Sequence, residues 1–163
     1  MKLVTICLLA VAGVASAQPR IVNSYLATCT LTLSANSKAC TIQQPASGAR
    51  DTQLVSAYIY STVALTVTQE RNGTAASATA VTPTALNPEQ VAAATAAVYE
   101  ASNVGSGTVL GGSAATIAIP ATSGVTLELE DIQLRGNGTT KNYTIRTSSA
   151  TGTVTIILKF RQF

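Results

Sequence analysis

Histidine and tryptophan are both absent from the 163 residues, and only 10% of the side chains carry charge. The missing histidine excludes most. Without an imidazole there is no Ser-His or Cys-His nucleophile pair, and the commonest general base is gone. His-ligated zinc, copper and non-haem iron sites go with it, including the cupin-type metal site often built into a double-sheet β fold. The clustered glycines, Gly105-x-Gly107 and Gly111-Gly112, match neither dinucleotide nor P-loop spacing. No cofactor and no metal are expected.

The formal charge of +3 is small and its basic residues are scattered, which argues against a nucleic-acid partner. The C-terminal third is mildly basic through Lys141, Arg146, Lys159 and Arg161. Charges that guard strand edges explain these four better than an anion site does.

What is present begins with Met1 to Ala17, which has the layout of a secretory signal peptide. Lys2 is the positive start, Leu3 to Val14 the apolar run, and Ala15-Ser16-Ala17 a small-residue cleavage site. The run is too short for a bilayer-spanning helix, which takes roughly 20 residues. The expected mature chain starts at Gln18, forms one domain to Phe163, carries no membrane anchor and is secreted. Cys7 leaves with the signal. Cys29 and Cys40 remain as an even pair, and an oxidising compartment favours a disulfide between them.

Beyond the signal, apolar residues recur with the two-residue period of strands. Thr30 to Leu33 alternates, Ser34 to Ser37 breaks, and Ala39 to Ile42 resumes, which predicts a hairpin with Cys29 opposite Cys40. Leu54 to Tyr60 and Val63 to Gln69 follow. Asn72-Gly73 is a hairpin signal, so Thr74 to Val81 is expected to return beside Val63 to Gln69. Asn87-Pro88-Glu89 followed by alanines predicts at most one short helical turn near residues 88–94, with Thr95 to Ala101 rejoining a sheet. Thr116 to Ile119, Val125 to Glu130, Tyr143 to Thr147 and Thr153 to Phe160 complete the strands. About nine or ten short strands with frequent turns predict an all-β fold, an antiparallel β-sandwich of jelly-roll type. An outer-membrane barrel is rejected, because stepping back by twos from Phe163 meets Arg161 and Lys159 where lipid-facing positions are apolar.

Two groups of residues have chemistry to offer. Glu128 and Glu130, if on one strand face, stand about 6.5–7 Å apart at strand rise. That overlaps the carboxylate separation of inverting glycosidases, roughly 6.5–9.5 Å, and with Asp131 it would also suit Ca²⁺. The plainer reading is a solvated face behind buried Val125, Leu127 and Leu129. Tyr58 and Tyr60 share a strand face with Leu54 and Ser56. They suit a glycan platform, packing against neighbouring strands, or cover by a second subunit. Three Asn-x-Thr acceptors occur, at Asn72, Asn137 and Asn142.

The resulting expectation is a secreted, non-catalytic β-sandwich, a structural or binding module that self-associates or meets a surface partner. A carbohydrate-binding module and a phage-like receptor-binding head are the alternatives. A glycoside hydrolase using Glu128 and Glu130 ranks below them.

Overall fold

The computed structural model describes residues 22–34, 37–47, 50–71, 75–90, 92–104, 108–110, 116–136, 138–148 and 150–163. The signal segment, the Asn72-Gly73-Thr74 turn, the Gly105 to Gly112 glycines and Asn137 lie outside these residues. All regular structure among the described residues is β. The strands are β1 (Asn23–Ser34), β2 (Ala39–Gln44), β3 (Thr52–Ser61), β4 (Leu65–Arg71), β5 (Ala75–Val81), β6 (Thr84–Ala85) and β7 (Ala97–Val104). They continue as β8 (Thr108–Val109), β9 (Thr116–Ile119), β10 (Ser123–Glu128), β11 (Gln133–Leu134), β12 (Lys141–Thr147) and β13 (Thr151–Gln162).

These strands form two antiparallel sheets. Sheet I runs β10-β3-β13-β1-β6, with β11 also beside β3; sheet II runs β5-β7-β2-β12-β4-β8, with β9 also beside β4. The alternation in β1 shows why they face each other. Tyr25, Ala27, Cys29, Leu31 and Leu33 are buried, while Thr28, Thr30, Thr32 and Ser34 are exposed. A pleated strand sends successive side chains to opposite faces, so one face of β1 is core and the other open. Ile156, Leu158 and Phe160 of β13 join that core, as do Ile42, Val67 and Ile145 of sheet II. Tyr25 and Phe160 are register partners with rings stacked at 5.3 Å.

The Cys29–Cys40 disulfide is present, with Cα atoms 6.0 Å apart, but not in a hairpin. Cys29 lies beside Ile156 in sheet I; Cys40 lies between Ile145 and Glu100 in sheet II. The chain crosses the sandwich between β1 and β2, so the bond staples one sheet to the other. Alternation locates strands but does not say whether two successive ones pair edge to edge or face each other, and facing wins here. Lys38, which a hairpin would set opposite Leu31, instead accepts from the Thr147 N–H at 2.8 Å and donates its own N–H to Thr147 Oγ1 at 3.1 Å, at the start of the β2–β12 ladder.

One further expectation is corrected. β5 does not return beside β4; it pairs with β7, at the far end of sheet II from β4. Near residues 88–94, where the sequence predicts at most one short helical turn, the described residues hold no helix. Asn87 accepts from the following chain, its Oδ1 taking the Glu89 N–H and its carbonyl the Gln90 N–H, which closes a single turn. The Ala92 carbonyl then accepts from the Tyr25 hydroxyl at 2.9 Å, and β7 inserts between β2 and β5. A short alanine run has little helical stability of its own, so sheet pairing decides its fate.

One end of the core is polar. Gln162 Nε2 donates to Thr52 Oγ1 at 2.8 Å, Thr52 Oγ1 donates to Gln44 Oε1 at 2.6 Å, and Gln44 Nε2 donates to the Arg50 carbonyl at 2.7 Å. Gln162 also accepts from the Thr95 N–H at 2.8 Å. All three side chains are fully buried, so each group depends on the others. Thr52→Val keeps the shape and removes both hydroxyl bonds. It should cost about 1–3 kcal/mol in urea unfolding; an unchanged midpoint would show that the network contributes nothing.

Beyond Leu26, β1 has no strand partner among the described residues on the side away from β13. There the Glu100 carboxylate, from β7 of the other sheet, accepts the Thr30 N–H. A charged side chain over an open edge blocks further strand addition.

Candidate functional site

The outer face of sheet I is set by an irregularity in β3. Lys159 pairs with Ser56, but Phe160 pairs with Leu54, leaving Val55 as an extra residue. A bulge of this kind reverses the facing of everything before it. Leu54 is therefore fully buried in the core rather than beside the tyrosines, while Tyr58 and Tyr60 point outward, 42% and 37% exposed. This corrects the expectation that Leu54 shares their face.

Register fixes their neighbours. Tyr60 stands between Gly124 of β10 and Thr155 of β13, and Tyr58 between Thr126 and Ile157. Beyond Ile157 and Thr155 come Thr28 and Thr30 of β1. The Tyr58 ring leans across Gly124, so that a Cβ there would sit 2.5 Å from the phenol oxygen. A glycine opposite an aromatic ring lets the ring lie flat, an arrangement that also supports the glycine strand. The result is a shallow aromatic and threonine surface.

Glu128 belongs to this surface, paired with Ser56, which in turn faces Lys159. Glu130 and Asp131 do not. β10 ends at Glu128, and the Ile132 N–H donates to the Leu129 carbonyl, closing a turn over residues 129–132. Glu130 is thus in a turn instead of two places along a strand, and the 6.5–7 Å spacing expected for one strand face does not apply. Of the residues the plainer reading buries, Leu127 and Leu129 are buried and Val125 is half-buried, while all three carboxylates are exposed. Among the described residues no three Asp, Glu or Cys side chains are grouped to hold a metal ion.

The basic residues separate into three environments that the sequence did not distinguish. Lys159 and Arg161 lie on β13 and Arg146 on β12, interior strands of their sheets, so edge guarding does not account for them. Arg146 meets Glu70 side-on, Nε 2.8 Å from Oε1 and Nη2 donating to Oε2 at 2.9 Å. Glu70 is only 5% exposed although its strand neighbours place it on the outer side of sheet II. Next to the pair, Thr41 and Thr144 share a buried hydroxyl hydrogen bond at 2.9 Å. Thr144 is the acceptor-motif threonine of Asn142, so this Asn-x-Thr site sits in an interior strand with its hydroxyl already engaged. Lys141, finally, opens onto a depression of about 360 Å³ with Arg71 and Arg135. Tyr143 closes its inner wall. Burial pushes the Tyr143 phenol well above the ordinary tyrosine range, so it stays protonated and donates to Gln69 Oε1 at 2.8 Å.

Asp131 lines that depression, whereas neither Glu128 nor Glu130 lines it or the smaller one beside Asp51. The arrangement among the described residues offers surfaces for contact rather than a pair of carboxylates about a cleft. No helix of the described residues is long and apolar enough to cross a membrane, and the disulfide is compatible with an extracytoplasmic location. No protein-family model, curated protein or solved structure matches the chain.

Proposed function

We propose that this chain is a secreted, non-catalytic β-sandwich of jelly-roll type that self-associates through the outer face of sheet I. The observation that carries the proposal is Tyr58 and Tyr60 side by side on an open sheet face of threonines with Ile157 between strands. The jelly-roll reading is supported by strand order. With residues 75–109 set aside, the sheets run β1-β13-β3-β10 and β2-β12-β4-β9. Successive strands then wrap between the sheets as two Greek keys do.

Area supports self-association as well. Four strands about 4.8 Å apart and some eight residues long present roughly 500 Å², and two copies together bury about 1,000 Å², near the lower limit for a specific interface. Aromatic residues at its centre suit such a contact. Glu128 and Lys159 at its margin give a two-fold pairing its opposite charges. Export rests on the Met1 to Ala17 segment and on the disulfide.

The test compares the mature chain with its Tyr58→Ser/Tyr60→Ser variant. The variant should dissociate at least tenfold more readily, while thermal stability moves by less than about 1 kcal/mol, because both rings are substantially exposed. Unchanged association would exclude this face. A second reading, glycan binding, is favoured by the flat seat of Tyr58 on Gly124, since a sugar ring stacks on such a platform. It predicts that the same variant loses retention on a glycan array.

A further inference from the structure

The depression between the two sheets shares no residue with the tyrosine face, and its chemistry is different. Its walls come from the end of β4 (Arg71), from Leu110, from the turn and short strand after β10 (Asp131 to Arg135), and from the start of β12 (Lys141 to Tyr143). Three cations meet one carboxylate there. Arg135 is partly engaged, donating to Gln133 Oε1 at 3.2 Å and standing 3.9 Å from Asp51. The Arg71 and Lys141 side chains have no ion-pair or hydrogen-bond partner among the described residues, even though Asp131 lines the same space. In a chain that buries Glu70 against Arg146, two unpaired cations opening on one concavity are a departure from local charge balance.

We propose that this depression binds a carboxylated sugar of the hexuronate class. Arg71 and Lys141 supply the cationic end for the carboxylate, as guanidinium and ammonium groups do for oxyanions. Leu110, Ile132 and Leu134 give an apolar wall for the C–H face of a ring, and the Gln133 and Asn142 amides suit its hydroxyls. An apolar lining with a few convergent polar groups is the usual make-up of a small-molecule site. A volume of about 360 Å³ fits one or two sugar rings. Asp131 decides against a phosphate dianion: it would repel the second charge, yet it accepts hydrogen bonds from hydroxyls. A bare anion would also leave the apolar wall unused.

The experiment titrates the mature protein with D-glucuronate and D-galacturonate, against glucose, galactose and inorganic phosphate, by calorimetry at low salt. At least one hexuronate should bind saturably, with added salt weakening it. Arg71→Gln or Lys141→Gln should each weaken binding about tenfold, the loss of one charge-assisted hydrogen bond. Both variants should keep the wild-type melting temperature, since neither side chain is engaged in the fold. Tyr58→Ser should leave hexuronate binding unchanged, which separates this site from the proposed association face. Equal affinity for a neutral sugar or for phosphate would overturn the proposal, as would the absence of saturable binding or binding that survives Arg71→Gln/Lys141→Gln.

Discussion

Glu70→Ala should destabilise the protein by about 3 kcal/mol, the lower end of the range for breaking a buried ion pair, because the Arg146 side chain keeps some access to water. The cost comes less from the lost attraction than from what remains. Arg146 would lie over sheet II with its two bonds to Glu70 unmade, beside Thr41 and Thr144, which are nearly inaccessible. At about 2–4 °C per kcal/mol for a chain of this size, the melting temperature should fall by roughly 6–12 °C. Removing both charges is a different experiment. Glu70→Leu/Arg146→Met should recover most of the loss, since well-packed apolar replacements of a buried pair are often neutral or better. If Glu70→Ala instead costs less than about 1 kcal/mol, the pair is behaving as a surface pair.

Cys29→Ala/Cys40→Ala should cost a similar amount, about 3 kcal/mol, by the loop-closure entropy of the short segment the bond closes. Here geometry adds to the expectation. A disulfide within a hairpin would reinforce a ladder already closed by hydrogen bonds, whereas this one joins two sheets that otherwise meet through side chains. The reduced wild-type protein should therefore unfold at the same urea concentration as the double variant, apart from the small packing loss of the two sulfur atoms. A reduced protein as stable as the oxidised one would show that the staple contributes nothing to stability.

The strands were legible in the sequence because one face of each meets the core and the other meets water. Leu54 to Tyr60, Thr116 to Ile119 and Thr153 to Phe160 fall inside or on observed strands for that reason. Pairing was not legible. The same alternation in Thr30 to Leu33 and Ala39 to Ile42 serves a hairpin and a face-to-face pair equally, and only the arrival of β13 beside β1 and of β12 beside β2 decides between them. The Val55 bulge leaves no mark in the sequence, because no residue there breaks the apolar run, yet it moves Leu54 to the opposite face. Glu70 follows directly on the Val63 to Gln69 run, and nothing local marks its partner Arg146, 76 positions away. The depression is likewise assembled from segments distant in sequence, so Arg71, Arg135 and Lys141 read singly as scattered charges.

The proposed self-association of the sheet I face is read by sedimentation equilibrium of the chain from Gln18 to Phe163, from low to high micromolar concentration. The mass should rise above that of one chain with concentration and fall back to it in Tyr58→Ser/Tyr60→Ser. A single-chain mass throughout the range for the wild-type protein would contradict the proposal.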